Sequence, residues 1–191
     1  MNFGAHELLE TQEALRSKAA HIELYGVLME MAQDPQLRSL LEGQQRRMMN
    51  GYQQGVALLS GRGMQAPMPT PMTSSPMHQG AQLGLHQPMM APPNPHPGRL
   101  SDQTIATLAL NMHKTGAAVG MLWAGECVDP QIRNYHVHGA NECQQMAYEI
   151  WHYMNAKGYY QVAQFNPQTA NTMVQAFQTQ PMPVYNPPAM Q

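Results

Sequence analysis

Apolar side chains recur at every seventh position through the N-terminal part of this chain: Leu8, Leu15, Ile22 and Met29, with Ala19 and Gly26 on the neighbouring stripe. That spacing predicts a helix of about seven turns, with Glu7, Glu10, Arg16, Lys18 and Glu23 on its polar side. The pattern stops at Asp34-Pro35 and resumes through Leu37, Leu41, Met48, Gly55 and Leu58. An Asp followed by Pro supplies an N-cap and a first-turn proline, so a second helix starts there while the first one ends. Gly61 and Gly63 provide the stop. Two antiparallel helices joined by a tight turn result.

The same plan appears again downstream. After Ser101 or Asp102 as N-cap, Ile105, Leu108, Met112, Val119 and Leu122 form the apolar stripe of a third helix. Asp129-Pro130 breaks it, and Ile132, Tyr135, Gly139, Met146 and Tyr153 carry a fourth helix to Gly158. Asp34-Pro35-Gln36-Leu37-Arg38 and Asp129-Pro130-Gln131-Ile132-Arg133 agree at four of five positions, which points to an internal duplication. One hairpin cannot bury its stripe alone. Two can, and the expected fold is all-α: a ferritin-like four-helix bundle made of two hairpins.

Proline sets the boundaries. Nine of the 16 prolines lie between Pro67 and Pro97 and five lie from Pro167 onward. The chain therefore divides into a first hairpin (1–60), a Met-, Pro- and Gln-rich linker (61–99), a second hairpin (100–166) and a Pro/Gln-rich tail (167–191). Linker and tail have a composition that favours extended, solvated conformations and adds no core. A connection this long lets the third helix begin at either end of the bundle.

Composition narrows the function. Only 12% of residues are charged and the net charge is -2, so there is no basic footprint for nucleic acid. Weak self-repulsion also lets copies of the chain pack closely. No apolar run has the length a membrane helix needs, and the N-terminus lacks the basic-then-apolar pattern of a secretory signal. Cys127 and Cys143 make neither a disulfide framework nor a metal-ligand spacing; they read as helix residues, with an intermolecular crosslink as the alternative.

The sharpest catalytic reading for such a bundle is a di-metal centre, which needs a Glu-x-x-His unit on each of two helices and a Glu on each of the others. One unit is present, Glu149-Ile150-Trp151-His152, with Glu142 a heptad earlier. Glu142, Glu149 and His152 are thus the candidate metal ligands. The second helix offers only Glu42, Gln45, Arg46 and Arg47, and the duplication places Gln54 opposite Glu149 and Ala57 opposite His152. Guanidinium groups oppose a divalent cation, so the sequence implies no cofactor and no catalytic residues. The first helix offers Glu23 and Glu30 as further acids, and the third offers Glu126 next to its end. The nine histidines are dispersed and read as solvated or interfacial; His136 and His138 point about 200° apart on a helix. Tyr148, Trp151 and Tyr153 cover more than half of the fourth helix's circumference, so some of them face outward, either as a contact surface or as shields of the core rim.

The second hairpin resembles the spore coat protein F family. The resemblance is carried by Leu100-Ser101-Asp102, Lys114, Asp129-Pro130-Gln131-Ile132-Arg133 and the closing Met154-Asn155-Ala156-Lys157-Gly158-Tyr159-Tyr160, over residues 100–166. The first hairpin fits as a diverged copy. The resemblance implies a structural protein of the endospore coat, made in the mother cell, with other coat proteins and itself as partners. A ferritin-like metal-binding protein or oxidase is the alternative, and crosslinking through Tyr, Lys114, Lys157 or Gln a further one.

Overall fold

The computed structural model describes residues 4–61, 80–85 and 92–177. Four long helices dominate it: α1 (Ala5–Met31), α2 (Pro35–Leu59), α3 (Asp102–Glu126) and α4 (Pro130–Ala156), followed by a short α5 (Pro167–Gln175). α1 packs along α2 and α3 along α4, and the two hairpins join through α1 against α3 and α2 against α4. The result is a four-helix bundle.

Both Asp-Pro breaks work as the sequence predicts. The Asp34 carboxylate accepts from the Gln36 N–H, and the Asp129 carboxylate from the N–H groups of Gln131 and Ile132. Pro35 and Pro130 occupy the first turn, where no N–H is missed. At the far ends Gly61 and Gly158 take positive φ, the left-handed stop that a helix C-terminus favours in glycine. The tail repeats the device: Asn166 caps α5 by accepting from the Thr169 N–H, with Pro167 as first residue. α5 buries nothing.

The direction of the linker is settled by the helix ends. The N–H groups of Gln33 and Asp34, at the α1–α2 turn, donate to Asp102 at the start of α3 at 2.8 and 3.1 Å. The α3–α4 turn lies at the opposite end, where the N–H groups of Val128 and Asp129 donate to Glu7 at the start of α1. α3 therefore runs antiparallel to α1, and it starts at the opposite end of the bundle from the end of α2. Most of that linker, residues 62–79 and 86–91, lies outside the described residues. Its segment 80–85 docks: the Gly84 N–H donates to the Val162 carbonyl at 2.9 Å, and buried Asn155 of α4 bonds the Gln82 backbone in both directions.

The apolar core is concentrated toward the α1–α2 turn, around Tyr25, Leu28, Leu37, Leu41, Ile105, Ile150 and Tyr153. A smaller cluster of Leu58, Ile132 and Tyr135 closes the other end. At that end α2 and α4 meet at Gly55, where an added Cβ would stand 2.4 Å from the Tyr135 hydroxyl and 2.8 Å from Leu15.

Two inner faces differ from the apolar stripes. On α1 the buried residues are Glu7, Thr11, Tyr25 and Leu28, while Leu8 is exposed and Leu15, Ile22 and Met29 are half-buried. On α3 they include Ala106, Ala109, His113, Gly120 and Ala124, whereas Leu108 and Leu122 are exposed. The reason is close packing: at Gly120 an added Cβ would lie 3.3 Å from Ala140 on α4. Small residues therefore take the tightest contact and displace the larger aliphatics outward. Glu7 belongs inside because its carboxylate is saturated by backbone donors.

Candidate functional site

Polar side chains gather in the interior in three groups. In the first, α4 contributes Glu142 and Glu149 and α2 contributes Arg47. The Arg47 guanidinium ion-pairs with Glu149 and lies 3.9 Å from Glu142. Gln44 Nε2 donates to Glu149 at 3.1 Å and Gln145 Nε2 at 3.4 Å. The two candidate carboxylates thus converge, as their heptad spacing requires, but on a guanidinium. His152 lies edge-on to Tyr148 and Trp151, with ring centroids 4.3 and 4.9 Å away. Glu42 pairs with Arg46 at the surface at 2.7 Å, and Glu23 and Glu30 are exposed. Arg47 stands where an acid of the second helix would complete a di-metal centre. Charge neutralisation in that position favours an ion-pair lock between α2 and α4.

The second group joins three helices. The Tyr25 hydroxyl donates to Gln44 Oε1 at 2.8 Å and lies 2.6 Å from His113 Nε2, which is itself 3.1 Å from Gln44 Oε1. Gln44 Nε2 also donates to the Met146 carbonyl at 3.0 Å. All three side chains are fully buried. Burial, reinforced by the nearby positive charges of His21, Arg47 and Lys18, pushes His113 down to about 3. Burial likewise drives the Tyr25 phenol above its ordinary value. Both groups are held neutral around neutral pH, as buried hydrogen-bonded groups should be.

The third group borders a half-open cavity of about 630 Å³ lined mainly by α1, α3 and α4. Lys18, His21, His113, Trp123, His136 and Cys143 contribute to its wall, together with Gly116, Gly120 and Gly139. His136 is buried, its Nε2 3.1 Å from the Thr11 hydroxyl, and burial pushes it down to about 4. Burial lowers Lys18 as well, against the opposing influence of Cys143 and Glu142, and raises the Cys143 thiol. Both cysteines are free. His113 and His136 are therefore interior residues, contrary to the solvated role the dispersed histidines suggest. His138, two residues on, faces away and is half-buried. One signal for the inward pair was available: His113 precedes Gly120 by a heptad, and His136 precedes Cys143 and Ile150 by one and two.

At the end of the bundle His6, Glu10 and Glu126 bring one ligand atom each within 4.8 Å of the others, the single such group of His, Cys, Asp and Glu among the described residues. Burial and the Glu126 carboxyl raise Glu10 above the ordinary carboxylate range, while His6 opposes the shift. His6 is largely exposed.

The aromatics divide by depth. Tyr153 is buried, Trp151 is half-buried against the core, and Tyr148 is exposed and stacked on Trp151 with an interplanar angle of 10°. No described helix is long and apolar enough to cross a membrane.

These features define an all-helical bundle of two hairpins with a polar, partly hollow interior. Residues 101–163, which span the second hairpin, match the Coat F domain. This is the family whose resemblance residues 100–166 carry in the sequence. The fold is also similar to the crystal structure of a conserved hypothetical protein from Mycobacterium tuberculosis. The TM-score is 0.54 at 20% identity, over 78% of this chain and 97% of that one. At that identity the likeness concerns the fold alone. No curated protein matches.

Proposed function

We propose that the protein is a structural component of the bacterial endospore coat that assembles through the outer faces of its bundle, with no catalytic role. The observation that carries this reading is the Coat F match over the whole of α3 and α4. The interior supports it, since Glu142 and Glu149 are tied to Arg47. Leu9 on α1, Leu122 on α3 and Met173, Val174 and Phe177 at α5 present apolar side chains to the outside. With 12% charged residues in the chain, such surfaces meet little electrostatic repulsion when copies or other coat proteins approach. The partners in this reading are other coat proteins and the chain itself.

Fractionation of spores from the organism that carries the gene tests the reading. The expected result is recovery in the coat fraction, released only by strong denaturant with reductant. Its absence from the coat of mature spores, with the protein soluble in the mother cell, would overturn it.

A further inference from the structure

Duplicated positions in the two hairpins have opposite fates, and the difference locates a binding site. Asp34 and Asp129 define the spacing of the repeat, and Glu7 and Asp102, which bind each other's turns, keep it. At that same spacing the mates of Tyr25, Gln44 and His113 are Gly120, Gly139 and Lys18. Tyr25 and Gln44 fill the interior on one side and both engage His113 Nε2. Gly120, Gly139 and Lys18 all line the 630 Å³ cavity. Where one half has a phenol ring and an amide oxygen, the other has Gly139 opening onto free space, Gly120 packed against Ala140 beside it, and an amine.

Two further observations show that this space is kept open. A Cβ added at Gly139 meets nothing within 4 Å, so packing does not require a glycine there. A helix-interior glycine nonetheless weakens the helix relative to alanine. Lys18 forms no hydrogen bond or ion pair with a described residue: Glu142 and Cys143 act on it only at a distance, and Glu142 lies 3.9 Å from Arg47. Glu13, at the cavity's edge, pairs with Arg16 at 3.9 Å. The Lys18 Nζ lies over Gly51 of α2, 3.0 Å from where a Cβ there would stand. An amine so placed at the border of a largely apolar cavity, with no partner of its own, calls for an anionic acceptor.

We propose that the cavity between α1, α3 and α4 binds a small aromatic carboxylate, its ring lying against Gly120 and Gly139 near Trp123 and its carboxylate on the Lys18 ammonium. The ligand supplies what Tyr25 and Gln44 supply in the other half, a ring and an oxygen acceptor. The volume falls within the range of ordinary small-molecule sites. This site is independent of the coat assignment and of the outer surfaces that carry it.

Isothermal titration of the full chain with 2-naphthoate, and with uncharged 2-naphthalenemethanol as control, tests the assignment. Saturable binding of 2-naphthoate at one site is expected. Lys18→Met weakens it by roughly tenfold or more while leaving the alcohol's affinity nearly unchanged. Gly139→Leu, whose side chain enters open space, abolishes binding of both and leaves the thermal midpoint unchanged or raised. This second variant decides the matter if Lys18→Met fails to fold. Absence of saturable binding to the unaltered protein overturns the proposal, as does full affinity in Gly139→Leu.

Discussion

The backbone N–H of Asp34 donates to the Asp102 carboxylate at 3.1 Å, tying the turn of the first hairpin to the first helix of the second. Glu7 returns the contact at the other end, taking the N–H groups of Val128 and Asp129. Each hairpin thus uses the opening acid of its first helix to satisfy the orphan donors at its neighbour's turn. The backbone donors hold Glu7 below the ordinary carboxylate range, led by Asp129, although its burial works the other way. The bundle is fastened at both ends by the same device.

Glu7→Ala removes the acceptor of three backbone N–H groups, those of Gly4, Val128 and Asp129, and Asp102→Ala that of two; each costs about 1–3 kcal/mol. The two sites are a helix length apart, so the losses add in the double variant. Urea unfolding of the four proteins checks this; strong non-additivity would show that the two ends communicate.

Asp34 carries more than its mate Asp129. It caps α2, pairs with Lys157 at 2.7 Å and accepts from the Tyr153 hydroxyl at 3.0 Å. The Lys157 pair is its largest influence, and the carboxyl lies below its ordinary value. The stability it contributes is fully present above the free carboxyl's value and is lost as pH falls through the folded one. Lys157→Met costs less than about 1 kcal/mol, because that ammonium is partly exposed and screened. Asp34→Ala costs more, about 1–3 kcal/mol, since a helix cap and a buried hydroxyl's acceptor go together. Chemical denaturation near neutral pH ranks the two, and a reversed order would show that the ion pair dominates.

His113 and His136 are held neutral by burial, down to about 3 and about 4. In the unfolded chain both protonate near pH 6.5. Stability is therefore fully present above that value and declines as pH falls below it, because the unfolded state takes up the protons first. Replacing both with Gln flattens the unfolding free energy between about pH 6.5 and 4. An unchanged acid limb in the double variant would place the titration elsewhere.

Gly55→Ala forces a methyl group into the Tyr135 hydroxyl and Leu15. Overpacking at this helix contact costs about 1–3 kcal/mol despite alanine's better helix propensity. A calorimetric midpoint below that of the unaltered protein is the expected result, and an increase would mean that α2 and α4 move apart freely.

Much of the architecture was legible because it is local. Asp-Pro fixes a cap and a first turn within three residues, so the hairpins, their turns and the repeat could be read from Asp34-Pro35 and Asp129-Pro130. The sequence offered Arg46 and Arg47 together as neighbouring guanidinium groups; that Arg47 reaches Glu142 and Glu149 while Arg46 pairs with Glu42 depends on how α2 and α4 meet. The inner faces were less so. Periodicity follows hydrophobicity, and it passed over Glu7, Thr11 and His113 because their cost of burial is offset by partners on other helices. Leu108 and Leu122 misled for the complementary reason, since small residues had taken the close contact. The cavity depends on which side chains meet across helices, and Gly120, Gly139 and Lys18 acquire meaning only once Tyr25, Gln44 and His113 are seen together.

Assembly through the outer surface is the account's central claim, and sedimentation velocity of the purified full chain tests it most directly. The account predicts concentration-dependent growth beyond the monomer, reduced when exposed Leu122 is changed to Glu. A protein that remains monomeric across the whole concentration range, with Leu122→Glu indistinguishable from it, would contradict the account.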